Sequence, residues 1–174
     1  DIMENCVYFK DTFFSSGKTD IFNGEQQKLG VLDLKSAFSS GVSIEDESGR
    51  VIVEGSFPFL LGKWVVKQPD GKELGMVKSS FALFSKKYRY MTNEQNYEIE
   101  APAFSKEYIL VDENKAEVAT FKKVNGFFQA SAYELKHNSN HLLTEELIAV
   151  VMGVNAIEKR NSSSASAGVG SSGS

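Results

Sequence analysis

Leu142-Leu-Thr-Glu-Glu-Leu-Ile-Ala-Val-Val-Met-Gly-Val-Asn-Ala-Ile157 is the stretch on which the fold turns. Placed on a helix, its apolar residues fall on every side instead of along one stripe, which is the pattern of a helix enclosed all round. Glu145 and Glu146 stand in its first turn and Lys159 and Arg160 just past its end, an order that complements the helix dipole. The apolar part from Leu147 to Ile157 has 11 residues, about 17 Å at a rise of about 1.5 Å per residue. That is well short of the roughly 30 Å of a bilayer core. The enclosure must therefore be protein.

The residues before it supply the wall. A corner led by phenylalanine recurs at Phe14-Ser-Ser-Gly17, Phe38-Ser-Ser-Gly41, Phe59-Leu-Leu-Gly62, Phe84-Ser-Lys-Lys87, Phe104-Ser-Lys-Glu107 and Phe127-Phe-Gln-Ala130, at steps of 24, 21, 25, 20 and 23 residues. Between the corners lie turn formers: Asn23-Gly24, Ser48-Gly49, Pro69-Asp70-Gly71, Thr92-Asn93-Glu94 and Asp112-Glu113-Asn114. The intervening runs alternate apolar and polar with the period of half-buried strands, as in Val51-Ile-Val-Glu54 and Tyr97-Glu-Ile-Glu100. Two runs per unit over six units predict twelve strands, at 5–10, 18–22, 28–35, 42–46, 50–54, 63–67, 74–78, 88–92, 96–100, 108–111, 116–122 and 130–136. The connections are too short for parallel crossovers, so the strands form an antiparallel meander. Closing the meander removes its exposed edges. A barrel of that size is too wide for side chains alone to fill, and the C-terminal helix fills it. The expected fold is all-β with one helix: a closed antiparallel twelve-stranded β-barrel around a buried hydrophobic C-terminal α-helix. It occupies one domain, 1–160, with the helix at about 142–158 and a flexible Ser/Gly/Ala-rich tail over 161–174.

These six hairpin-like units, with strand starts Leu29-Gly30-Val31 and Leu74-Gly75-Met76, Phe-x-x-Gly corners and the helix Glu145–Ile157, resemble the tubby C-terminal-like superfamily. Within it the chain is most similar to LURP-one-related proteins and their small bacterial tubby-like relatives, and more distantly to phospholipid scramblases. The resemblance covers about Val7 to Arg160 and implies the barrel with its central helix. Tubby proteins bind phosphoinositides and scramblases act at phospholipid membranes, so it also implies contact with anionic phospholipid. The head-group ligands of those families do not map onto particular residues here.

Composition narrows the function classes. A net charge of -4 argues against a nucleic-acid binder. A single cysteine, Cys6, excludes an internal disulfide framework. No run reaches the length of a transmembrane helix, and no charged-then-apolar leader stands at the N-terminus, where Met3 reads as the natural start. A cytoplasmic monomer is expected, peripheral at a membrane if it meets one.

Each motif has a chemical and a plain reading. His137, His141 and Glu145 recur every four residues, zinc-like on one helix face, but Asn138-Ser-Asn140 reads as a polar loop. Ser16-Gly17-Lys18-Thr19 ends like a phosphate loop, yet Thr12 stands where the first glycine is needed and a strand follows. Glu45-Asp46-Glu47-Ser48-Gly49 lacks calcium-loop spacing and reads as a hairpin turn. Cys6 begins an apolar strand and reads as a small hydrophobe, and Trp64 as packing. Two basic clusters are left, Lys86, Lys87 and Arg89, and Lys122 and Lys123, candidates for anionic lipid. No catalytic, cofactor-binding or metal-ligating residue is assigned. The expected function is a non-enzymatic binding or adaptor module for an unidentified protein partner; the alternatives are a peripheral module binding anionic phospholipid and a small-ligand carrier.

Overall fold

Twelve strands follow one another in a computed structural model of the chain, which describes residues 3–15, 17–35, 41–58, 62–80, 86–102 and 106–170, the helix side chains as far as 161. They are β1 (Cys6–Lys10), β2 (Lys18–Phe22), β3 (Lys28–Leu34), β4 (Val42–Asp46), β5 (Val51–Ser56), β6 (Lys63–Lys67), β7 (Glu73–Ser80), β8 (Lys86–Met91), β9 (Asn96–Ala101), β10 (Tyr108–Val111), β11 (Glu117–Phe127) and β12 (Ala130–His137), followed by the helix α1 (Thr144–Gly170). Each strand pairs antiparallel with its chain neighbours, and β1 pairs with β12 to close the barrel. The helical backbone runs past the expected end at 158.

Strand bounds follow the expected ones closely, with one correction. β11 runs to Phe127, not 122, and meets β12 through a two-residue turn, Phe128 (φ 52°) and Gln129 (φ 59°). The alternation of β11 is interrupted by a bulge between Val124 and Phe127, where Gly126 takes φ 87°. Of the corners led by Phe38, Phe59, Phe84 and Phe104, residues 38–40, 59–61, 84–85 and 104–105 lie outside the described residues, as does Ser16 of the first.

The meander fixes which residues share an end. At the entry end, where α1 begins, the strands turn on one recurring device: a side-chain oxygen that accepts backbone N–H groups two residues on and beyond. Asn23 does so for Glu25 and Gln27, Asp46 for Ser48 and Arg50, Asp70 for Lys72, and Asp112 for Asn114 and Ala116. The Asp46 carboxyl, held below its usual range by the Ser48 hydroxyl, which donates to it at 2.6 Å, and by these backbone N–H groups, is thus committed to a hairpin. At the exit end lie the starts of the even strands and the side of the barrel toward which α1 runs.

The interior is packed with aromatic side chains. Trp64 is fully buried and lies between two glycines, Gly55 on β5 and Gly153 on α1. A Cβ built on Gly153 would stand 2.6 Å from the Cγ and Nε1 of Trp64, and one on Gly55 would stand 2.7 Å from Cζ2. The indole N–H donates to the Ala149 carbonyl at 3.0 Å. Tyr90 lies over Gly75 of β7 in the same way.

One joint in the wall is thin. β1 and β2 share a single register pair, Tyr8 with Phe22, whereas β1 and β12 share five. The tip of the β11–β12 hairpin lies across that joint. Phe127 stacks on Tyr8 at 4.2 Å, and Phe128 meets Phe22 edge-on at 4.7 Å. Two successive non-glycine residues at positive φ are unfavourable by about 1–2 kcal/mol each, and these ring contacts offset that cost.

Candidate binding surface

Period two sends alternate residues of each strand outward. On β6–β8 the inward set is Trp64, Val66, Val77, Tyr88 and Tyr90, all buried. Lys63, Lys78 and Arg89 therefore point out, and register places Lys63 opposite Lys78 and Lys78 opposite Arg89. Adjacent strands lie about 4.8 Å apart, and like charges directly opposite destabilise a sheet. None of the three has an ion-pair partner among the described residues. Two residues along each strand, Val65, Met76 and Met91 form a second outward row, in register and partly buried. Beyond Arg89 the row ends at Glu98 of β9, which binds Lys87 at 3.1 Å and Lys115 at 3.3 Å. These cations hold the Glu98 carboxyl below its usual range.

The five expected lysines and arginine do not form one patch. Lys86 has inward parity at the exit rim, where its charge acts on the half-buried Glu158 of α1, a carboxyl pushed up by burial and hydrogen-bonded by Tyr88 and Tyr108. Lys87 is paired with Glu98, so only Arg89 belongs to the cation row. Lys122 and Lys123 sit three strands away on β11 and point to opposite faces. Lys122 stands opposite Glu134, and the backbone N–H of Lys123 donates to Glu107 at 3.3 Å. Sequence clustering missed Lys63 and Lys78, because only strand register brings them beside Arg89.

The histidines are occupied in fixing the entry end. The Ser139 N–H donates to His137 Nδ1 at 3.2 Å, which leaves the proton on Nε2 to bond Thr144 Oγ1 at 2.8 Å. The Thr144 hydroxyl donates in turn to the Glu4 carbonyl at 2.8 Å. His137 is buried at the end of β12, and burial lowers its pKa. His141 is exposed and paired with Glu94 at 3.3 Å, so the two rings do not converge. The described residues hold no cluster of three or more metal-ligating side chains. Glu146 caps the helix by accepting the Leu143 N–H at 3.2 Å and takes a 2.5 Å bond from Tyr90. Glu145 is 6% exposed and one of its carboxylate oxygens has no hydrogen-bond partner among the described residues. Burial raises the pKa of both acids. The Cys6 thiol, 3.5 Å from the Tyr8 hydroxyl, is also raised by burial, which weakens it as a nucleophile. Between α1 and the wall lies a void of about 20 Å³, lined by Leu147, Val150, Val151 and Val154 against Ile99, Tyr108 and Phe121.

The class that the fold defines is a closed twelve-stranded antiparallel barrel with a C-terminal helix at its core. The X-ray structure of a protein from Arabidopsis thaliana, AT5G01750, superposes on it with a TM-score of 0.57 at 12% identity, covering 88% of this chain and 94% of that one. At that identity the likeness shows the fold alone. No protein-family model and no curated protein matches the chain. No described helix is long and apolar enough to cross a membrane.

Proposed function

We propose that this protein is a non-enzymatic, cytoplasmic binding module that meets a protein partner through its outer wall. The supporting observation is the filled interior. The void of about 20 Å³ beside α1 has room for about one water molecule, whereas ligand pockets run to about 300–1,000 Å³. Methyl NMR tests this, with Val151 and Val154 reporting the interior and Val65, Met76 and Met91 the wall. Titration with a medium-chain fatty acid or with indole should leave the interior methyls unmoved. Saturable shifts there would overturn the reading in favour of a carrier.

A second reading, a peripheral module binding anionic phospholipid, draws support from the charge of the two ends. Lys10, Lys35, Lys63, Lys86 and Lys106 begin, end or flank strands at the exit end, while Glu25, Asp46, Glu47, Asp70, Asp112 and Glu113 occupy turns at the entry end. Cations near an anionic leaflet each contribute about 1 kcal/mol. Co-sedimentation with anionic but not neutral vesicles, abolished by salt and by charge reversal at Lys10, Lys35, Lys86 and Lys106, would establish it. No sedimentation at low salt would refute it.

A further inference from the structure

We infer that the outer wall of β6–β8 is the docking face, and that its occupant is an acidic segment of a protein partner carrying aliphatic side chains between its carboxylates. This rests on the binding-module reading and names its surface. Lys63, Lys78 and Arg89 are held side by side on three adjacent strands with no ion pair among the described residues. Arg89 also stands opposite Glu98, whose carboxylate is engaged by Lys87 and Lys115, so the like charges at Lys63–Lys78 and Lys78–Arg89 weaken the sheet. A carboxylate-bearing segment laid across the row removes that repulsion. Val65, Met76 and Met91 lie parallel to it at two residues' distance, about 7 Å along each strand. Methionine adapts its shape to varied aliphatic partners, so the two rows together ask for acids and aliphatic groups side by side.

The width of the patch favours a narrow partner. Three cation-bearing strands span about 10 Å between the outer two. On one side the wall turns acidic at Glu98 and Glu100 of β9, and on the other at Glu54 of β5, which faces Lys67. A planar anionic leaflet pressed on this convex wall would meet all of those carboxylates; a single acidic segment centred on Lys78 meets the cations with Glu98 only at its margin. Closure of the barrel leaves no free sheet edge for strand addition, so the contact is made by side chains.

The test is fluorescence anisotropy with a labelled synthetic peptide of alternating glutamate and leucine, and a lysine–leucine peptide as control, with methyl NMR on the same samples. Binding of the acidic peptide should shift Val65, Met76 and Met91, fall steeply with salt, and weaken about tenfold or more in Lys78→Glu/Arg89→Glu. The neutral pair Lys63→Gln/Arg89→Gln should weaken it less while keeping the fold, which circular dichroism checks. Lys122→Glu/Lys123→Glu should leave it unchanged. Peptide binding that moves other methyls, or that Lys78→Glu/Arg89→Glu does not weaken, overturns this surface but leaves the binding-module reading standing. That reading fails instead if the interior methyls respond to fatty acid or indole. Loss in Lys78→Glu/Arg89→Glu of vesicle binding, with no peptide binding, assigns the face to a membrane. Dimerisation in sedimentation velocity that the same variant abolishes assigns it to a second copy of this chain. Either result overturns the acidic segment.

Discussion

Gly153→Ala separates two forces of opposite sign on the central helix. Intrinsic propensity alone makes alanine better than glycine in a helix interior by about 1 kcal/mol. Gly153, however, faces the indole of Trp64, and the new methyl would lie 2.6 Å from two ring atoms and closer still to Cδ1. Carbon–carbon contacts settle at about 3.5–4.0 Å, so the ring or the helix must move by about 1 Å. The ring cannot retreat, because Gly55 lies against its far side. Withdrawing the helix would stretch the 3.0 Å bond from the indole N–H to Ala149. Overpacking typically destabilises by about 1–3 kcal/mol, and a buried donor left unpaired by about 1–3 kcal/mol more. Set against the propensity gain, the net loss is about 1–5 kcal/mol, a fall in Tm of roughly 2–20 °C for a domain of this size. Calorimetry and reversible urea unfolding measure it. In a Trp64→Phe background the smaller ring leaves room, so Gly153→Ala should be much less harmful there, with a coupling of at least about 1 kcal/mol. A rise in Tm of the wild-type-background variant would refute the reasoning, since propensity would then act unopposed.

Four other perturbations probe separate parts of the barrel. Val151→Asp places an unpaired charge against the interior wall and should abolish cooperative thermal unfolding seen by circular dichroism; near-wild-type stability would mean that the helix is not enclosed. Glu145 is protonated more readily folded than unfolded, so its contribution to stability is full below the ordinary carboxyl pKa and is lost as pH rises through its raised folded value. Glu145→Gln should therefore be more stable than the parent by about 1 kcal/mol at pH 7 and should lose that advantage near pH 4; a constant difference in urea midpoints across this range would be the wrong result. For His137 the sign is reversed: its lowered pKa makes folding weaken as pH falls below about 6.5. Phe127→Ala removes the ring stacked on Tyr8, whose hydroxyl lies beside the Cys6 thiol. It should speed modification of Cys6 by a disulfide reagent several-fold, and an unchanged rate would show that the hairpin tip does not guard the β1–β2 joint.

The strands were legible because each carries its own period and its own turn. Val51-Ile-Val-Glu54 alternates within itself, and Asp46 or Asp70 makes the next turn with its own side chain. β11 was misjudged where that locality fails. Asn125 and Gly126 form a bulge that breaks the alternation, and Phe127 then resembled the corner phenylalanines although it continues the strand. The helix was legible from its apolar circumference, but not the reason for glycine at position 153. That reason is an indole 89 residues earlier in the chain. The candidate surface was half legible for the same cause. Lys86, Lys87 and Arg89 stood out because they are neighbours in sequence, whereas the cation row needs Lys63 and Lys78, which only strand register supplies.

Closure and filling together decide where such a protein can act. A sheet with free edges can recruit a partner by adding a strand, and a hollow barrel can take a ligand inside. Here the first route ends in the pairing of β1 with β12, and the second in α1, whose residues Leu147 to Ile157 are buried throughout. The outward side chains are what is left, and several outward cations have an acid beside them: Lys67 faces Glu54 and Glu73, Lys87 holds Glu98, which Arg89 also faces, and Lys122 faces Glu134. Against that background three cations in register are a departure from the local rule of the wall. A sheet shaped by stability alone would place an acid at position 78, since one carboxylate there would neutralise both neighbours. The lysine in its place keeps the row positive, at a cost in stability that a bound anionic segment would offset.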